Sequence, residues 1–308
     1  MKPLAPAALA RELAGCVSRA TVIRPDEPLA GHTTLRVGGP ADVYVEPASE
    51  AELADVLQFC GVQQIPFFML GRGSNLLVRD GGFRGVVICL AHANFTKLEV
   101  AGERLRCGAG AKLKHLAGEA RRNSLSGLEF LEGIPGSLGG ALRMNAGAMG
   151  SATFHVVESV RFMDRAGNIF EKPRAEVPVE YRRCPLFVAH IALSAVFRGV
   201  PALRTEIETK QGEFNRRRWE TQPAMPSAGC TFKNPAAIPA GRLIDELGLK
   251  GTRVGGAMVS LEHGNFVVNA GGATAAEVLQ LIEILQARAR AERGIELAPE
   301  VEVVGENR

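Results

Sequence analysis

The pattern of apolar and polar positions predicts a chain in which helices and strands are interspersed. Ser49 and Glu52 stand in capping-box spacing, and Leu53, Val56, Leu57 and Cys60 follow at i, i+3, i+4 and i+7, the period of one helix face. Cys60 therefore reads as a core residue. Thr274 and Glu277 repeat the spacing ahead of Val278, Leu281, Ile282 and Leu285, which predicts a second amphipathic helix running into the charged stretch near Arg288 to Arg293. Weaker helical patterns cover 112–122, 203–218 and 241–247, the last stopped by Gly248.

Short segments rich in β-branched and aromatic residues predict strands at 42–46, 66–70, 86–90, 156–164, 191–198, 266–269 and 301–304. Arg165-Ala166-Gly167-Asn168 reads as a hairpin turn leading into Ile169-Phe170, and Ala101-Gly102 as another between Leu98 and Cys107. Strands that are partly adjacent and partly separated by helices predict a mixed α+β protein. A boundary is expected near Gly199-Val200-Pro201, where a strand pattern gives way to a helical one.

Composition narrows this picture. At roughly 150 residues per domain, a 308-residue chain suggests about two domains. With 46% hydrophobic and 22% charged residues it falls in the ordinary globular range. The formal charge of +3 is too small for a broad nucleic-acid surface, so no nucleic-acid partner is expected. Six cysteines without a Cys-x-x-Cys pair disfavour zinc ribbons, iron-sulfur clusters and redox pairs, and a reduced, cytoplasmic chain fits best. The N-terminal stretch lacks the apolar segment of a signal peptide, and no apolar run approaches the length of a membrane span. Residues 1–30 carry no functional signal.

Glycine is concentrated in two places. Leu70-Gly71-Arg72-Gly73-Ser74-Asn75-Leu76 directly follows an apolar strand, and Gly133-Ile134-Pro135-Gly136-Ser137-Leu138-Gly139-Gly140 leads to Asn145-Ala146-Gly147. Backbone N–H groups without a Cβ in the way form anion-binding nests suited to a pyrophosphate, and Ser74, Asn75 and Ser137 add side-chain donors. Tight turns explain a single such loop equally well. Gly71-x-Gly73-x-x-Leu76 and Gly108-x-Gly110-x-x-Leu113 both lack the third glycine of a dinucleotide fingerprint, and no Gly-Lys dipeptide exists for a Walker loop. There is no Gly-x-Ser-x-Gly elbow or His-Glu-x-x-His, and the six histidines show no ligand spacing, so no metal is expected.

Several segments in series resemble the UDP-N-acetylenolpyruvoylglucosamine reductase (UDP-N-acetylmuramate dehydrogenase, MurB) family, in its shorter subtype. They are Thr33 to Asp42, Gly71 to Leu77, Gly133 to Gly150, Tyr181-Arg182, Pro226 to Pro235, His263 to Asn269 and Pro299-Glu300-Val301. Together they span nearly the whole chain. The resemblance implies an α+β, vanillyl-alcohol-oxidase-type (PCMH) FAD-binding fold in two lobes plus a C-terminal α+β substrate-binding lobe. On that basis lobe 1 covers 1–70 with 296–308, lobe 2 covers 71–202 and the substrate lobe 203–295.

The family's activity implies non-covalent FAD, NADPH as co-substrate and UDP-N-acetylglucosamine-enolpyruvate as partner, in peptidoglycan precursor synthesis; a monomeric chain without a membrane partner is expected besides. Gly71, Gly73, Ser74, Asn75, Gly136, Ser137, Gly139, Gly140, Asn145 and Gly147 become cofactor candidates. Hydride addition to the terminal alkene carbon leaves negative charge on the adjacent carbon and the carboxylate, so the reaction needs charge stabilisation and one proton. By resemblance Arg182 stabilises that charge, Glu300 polarises the carboxylate or retains a shared proton, and residue 230 protonates carbon.

Here the chain departs from the common pattern, with Cys230 where the family usually has serine. A thiol, with a reference pKa of about 8.5, is a far stronger acid than an aliphatic hydroxyl and suits the role. Met149 is a second departure, at a position where related chains commonly carry tyrosine. Tyr181, Lys233, Asn234, Arg217 and His263 are candidates for the nucleotide sugar, whose diphosphate needs cationic and amide donors. The competing expectations are a flavin oxidase of another sugar or alcohol, and a non-catalytic flavin or nucleotide-sugar binding protein.

Overall fold

Residues 4–307 are described in a computed structural model. The chain forms two compact units, each assembled from segments distant in sequence. The first comprises residues up to 26, 43–72 and 85–218, and the second 27–42, 73–84 and 219 onward.

Among the described residues the first unit holds the α-helices α1 (Pro6–Ala14), α2 (Glu50–Val62), α3 (Leu113–Arg122), α4 (Leu138–Met144), α5 (Leu186–Ala189) and most of α6 (Arg204–Thr221). The predicted face of α2 is buried, with Leu53, Val56, Leu57 and Cys60 at 1% exposure or less. Burying each such leucine contributes about 2 kcal/mol. The capping box expected there is only half made. Ser49 Oγ accepts the Glu52 N–H, but the Glu52 carboxylate instead takes the N–H groups of Ser18 and Ala48 and the Thr21 hydroxyl. That carboxylate is more useful as a tie to the preceding chain, because three donors converge on it.

A five-stranded antiparallel sheet runs in the order Ile169–Pro173, Val157–Met163, Ile191–Arg198, Arg104–Gly108, Leu98–Ala101. Both hairpins predicted from sequence are present in it, and Asp164 closes the first by accepting the N–H groups of Ala166 and Asn168. The central strand Ile191–Arg198 is buried at almost every position because both its faces are covered, α4 lying against one of them. A four-stranded sheet, lying chiefly in this unit, pairs Phe67–Leu70 in parallel with Phe83–Cys89.

The second unit has its own apolar core, from Leu35 and Leu77 through Phe232 to Leu285 and Val301. It contains α7 (Ala240–Glu246) and α8 (Ala275–Arg293). At α8 the capping box is complete: Thr274 Oγ1 accepts the Glu277 N–H while Glu277 accepts the Thr274 N–H. The Asp80 carboxylate takes two further N–H groups of the first turn, from Ala275 and Ala276. A three-stranded antiparallel sheet (Arg253–Val254, Ala257–Val259, Val267–Asn269) packs against α8, and Leu76–Val78 pairs in parallel with Glu302–Val304. This last pairing carries the C-terminal segment to the end of the Gly71 loop.

Candidate active site

In the first unit the two glycine-rich segments meet. A Cβ on Gly71 would lie 2.7 Å from Ser137 Oγ. The second segment is not the open loop its sequence suggests, because residues 138–144 form α4 and Gly139 and Gly140 sit in its first turn. Leu113 N–H donates to the Gly136 carbonyl, Leu138 N–H to Ala111 and Gly139 N–H to Ala109. The segment is thus stitched to residues 109–113, with the buried Ser137 bridged to Lys112.

Asn145 ends α4 in the left-handed conformation (φ 41°), and its side chain joins the two neighbouring pieces of chain. Its Oδ1 accepts the Phe154 N–H and its Nδ2 donates to the Glu180 carbonyl. Gly147 then pairs with Ala152 in a hairpin whose turn residues, Met149 and Gly150, both have positive φ (52° and 81°). Met149, where tyrosine was expected, is therefore a turn-tip residue packed on the unit's core.

Tyr181 and Arg182 form the tip of a tight turn between Glu180 and Arg183, which exchange backbone hydrogen bonds. Arg182 adopts a left-handed φ of 58°, and its guanidinium lies 5.1 Å from the centre of the exposed Tyr181 ring. A non-glycine residue in that region is held there at a cost of about 1 kcal/mol, a feature concentrated at functional sites. Of the arginine triplet in α6, Arg216 and Arg217 face solvent, whereas Arg218 donates to the Gly133 carbonyl.

In the second unit, Gly73 is buried at φ 60°, and a Cβ there would lie 2.3 Å from the His32 carbonyl oxygen. Only glycine fits that position. Asn75 donates from Nδ2 to the Glu300 carbonyl and accepts the Glu302 N–H on its own carbonyl. Its side chain is thereby a tie to the Glu300 segment as well as a cofactor candidate.

Cys230 is half-buried and follows Gly229, whose φ of 77° turns the chain into the segment 231–233. Glu300 N–H donates to the Thr231 carbonyl at 2.8 Å, and Lys233 N–H donates to Ala298 at 2.9 Å. The segments carrying Cys230, Lys233 and Glu300 are therefore neighbours in one local β arrangement. Asn234, exposed, uses Oδ1 to accept the Ala240 N–H at the start of α7. His263 accepts the Asn265 N–H on Nδ1 and packs edge-on to Phe266. Burial, and then the charge of Lys250, lower its pKa below the ordinary imidazole value, consistent with Nδ1 as an acceptor.

With these positions in place, comparison with known proteins decides the family. A model of the UDP-N-acetylenolpyruvoylglucosamine reductase C-terminal domain matches residues 222–304, and an FAD binding domain model matches 41–172. The UDP-N-acetylenolpyruvoylglucosamine reductase of Clostridium botulinum (strain 657) is 42% identical over 283 residues, covering 91% of this chain and 92% of the relative. The chain belongs to the UDP-N-acetylenolpyruvoylglucosamine reductase family. The reductase of Caldanaerobacter subterraneus subsp. tengcongensis is 44% identical over 91% of this chain and 93% of its own length. The crystal structure of the MurB reductase from Thermus caldophilus aligns with a TM-score of 0.80 at 39% identity, over 92% of this chain and 99% of that one. Membership of this reductase family favours the reductase over the oxidase and over a non-catalytic binding protein.

As a member of this family the chain is an α+β FAD flavoprotein that uses NADPH. Its glycine loops fit the diphosphate part of FAD. In the first unit they offer backbone donors without charge, and at Gly147 the backbone runs too close to its surroundings for a side chain, a Cβ there lying 2.5 Å from the Ser151 carbonyl oxygen. Thr231 and Asn265 lie within the motifs at 226–235 and 263–269, yet nothing local in the sequence marks them out. Their role depends on backbone pairing between segments more than thirty residues apart, which no local pattern reveals.

Proposed function

We propose that this reductase converts the enolpyruvyl ether of UDP-N-acetylglucosamine-enolpyruvate to UDP-N-acetylmuramate, with Arg182, Cys230 and Glu300 as its catalytic residues. The supporting observation is the hydrogen bond between Glu300 N–H and the Thr231 carbonyl, which draws the segments of the proposed acid and the proposed carboxylate together. FAD, when bound, would supply the two-electron redox chemistry that side chains lack.

The chain's own residues handle charge and the proton. Arg182, presented at a turn tip and stacked on Tyr181, offers a permanent cation to the substrate carboxylate and the charge that develops beside it. The Cys230 thiol gives its proton to the carbon that carries this charge, forming a C–H bond and leaving a thiolate. Glu300 accepts or returns a proton shared with the carboxylate end. Gly71, Gly73, Ser74, Asn75, Gly136, Ser137, Gly139, Gly140, Asn145 and Gly147 hold the cofactor, those whose N–H or side chain is already committed acting by shaping the loop. Tyr181, Lys233, Asn234, Arg217 and His263 hold the nucleotide sugar.

A monomeric, cytoplasmic enzyme completes the proposal, and no helix among the described residues is long and apolar enough to cross a membrane. The test is the visible spectrum of the purified protein, followed by NADPH oxidation with and without the enolpyruvyl sugar. A flavin spectrum and sugar-dependent oxidation are expected. NADPH oxidation equal in both conditions would remove the reading.

A further inference from the structure

Residues 231–233 are pinned on both sides. On one side Thr231 N–H donates to the Asn265 carbonyl at 2.8 Å, and the Val267 N–H reaches Thr231 Oγ1 at 3.3 Å. On the other, Thr231 carbonyl accepts from Glu300, and Lys233 N–H donates to Ala298. The residue between them, Phe232, is completely buried, and both of its peptide groups are satisfied by one side chain. Asn265 Oδ1 accepts the Phe232 N–H at 2.9 Å and Nδ2 donates to the Phe232 carbonyl at 2.8 Å. Asn265 is itself 2% exposed, and its own N–H donates to His263 Nδ1.

We propose that Asn265 is a positioning residue for the protonation step, a clamp on the Phe232 peptide that fixes where the Cys230 thiol and the Glu300 backbone sit. The proposal rests on the reading of Cys230 as the proton donor. An asparagine amide presents one acceptor and one donor in the same plane, so it substitutes for a whole paired strand at one residue. Cys230 is then held between two fixed points, the left-handed Gly229 before it and the clamped Phe232 after Thr231. Losing the side chain leaves two buried peptide groups without partners, and the segment must shift to satisfy them. A displacement of about 1 Å at a proton donor is enough to cost roughly 100-fold in rate. Asn265 is itself buried, so its amide acts through the Phe232 peptide rather than on either ligand.

The holoenzymes of Asn265→Ala and of the isosteric Asn265→Asp, which keeps the acceptor for Phe232 N–H but loses the donor to its carbonyl, are compared with the parent and with Cys230→Ala. Stopped-flow absorbance follows the two half-reactions separately, flavin bleaching by NADPH and flavin recolouring by the enolpyruvyl sugar. Both Asn265 variants are expected to bleach at the parent's rate and to recolour about 100-fold more slowly, with KM for the sugar changed less than kcat. In the apoproteins, iodoacetamide labelling read by peptide mass should change at Cys230 at least about threefold, with the exposed Cys16 as unchanged internal reference. Parent-like recolouring in both variants, or equal loss of both half-reactions, overturns the clamp while leaving the catalytic reading intact if Cys230→Ala cannot recolour. Full turnover by Cys230→Ala overturns the catalytic reading itself and the clamp with it.

Discussion

Glu300 and Thr231 share a backbone hydrogen bond of 2.8 Å, so the proposed carboxylate stands across a backbone pairing from the residue next to Cys230. Neither residue is near the other in sequence. The pairing ties the segment ahead of the last strand to the segment leaving the left-handed turn at Gly229, and Asn75 donates to the carbonyl of the same Glu300. The proposed proton donor and carboxylate are thereby positioned through the main chain of their segments.

Cys230→Ser should retain measurable turnover, because a hydroxyl still offers a proton, whereas Cys230→Ala should lower product formation by about 100-fold or more. In the alanine variant NADPH should still bleach the flavin. Rapid-mixing absorbance with and without the enolpyruvyl sugar checks both outcomes.

Arg182→Lys should lower kcat by about 100-fold while flavin content stays unchanged. Lysine keeps the charge but loses the planar fork and the stacking on Tyr181. Steady-state kinetics beside the flavin absorbance of the purified variant measure the two effects separately.

Gly73→Ala should destabilise the protein by about 3 kcal/mol, combining left-handed strain with a clash against the His32 carbonyl. Thermal melts should show the drop, together with a lower flavin-to-protein ratio. Gly140→Ala is the contrasting control for the melt alone, since a Cβ there meets only Ser137 Oγ at 3.7 Å.

Acid sensitivity should trace in part to Glu52. Desolvation opposes its ionisation, but hydrogen bonds from Ser18, Thr21 and Ala48 outweigh this and take its pKa from 4.5 to about 2. A carboxylate depressed in the folded state stabilises it fully above the unfolded pKa, and that contribution is lost as pH falls from about 4.5 towards 2. Glu52→Gln should therefore unfold more easily at pH 7, by about 1 kcal/mol, and lose less of its remaining stability on acidification. Denaturant melts of both proteins across pH 3–7 test this.

Much of the fold is legible in the sequence because its signals are local. The α8 face from Val278 to Leu285, the helix stop before Gly248 and the Ala166-Gly167 turn each follow from spacing or backbone preference within a few residues. The Gly136–Gly140 segment misled for the same reason: glycines argued for a loop, while Leu138, Ala141 and Leu142 bury enough surface to hold α4 as a helix. Likewise Glu52 matched a capping box by spacing, but donors from residues 18 and 21 drew its carboxylate elsewhere.

For the site, the sequence by itself determined which groups are present: one thiol in a serine's usual place, a Tyr-Arg pair, a carboxylate near the C-terminus, and glycines where backbone must come close. Tertiary structure alone decided how Cys230, Lys233 and Glu300 become neighbours, and that Asn265 closes the pairing around Phe232. The physical reason is the range of the interactions. Helix faces, caps and turns are set by neighbours along the chain, whereas strand pairing and the satisfaction of buried peptide groups are settled only when distant segments have found one another.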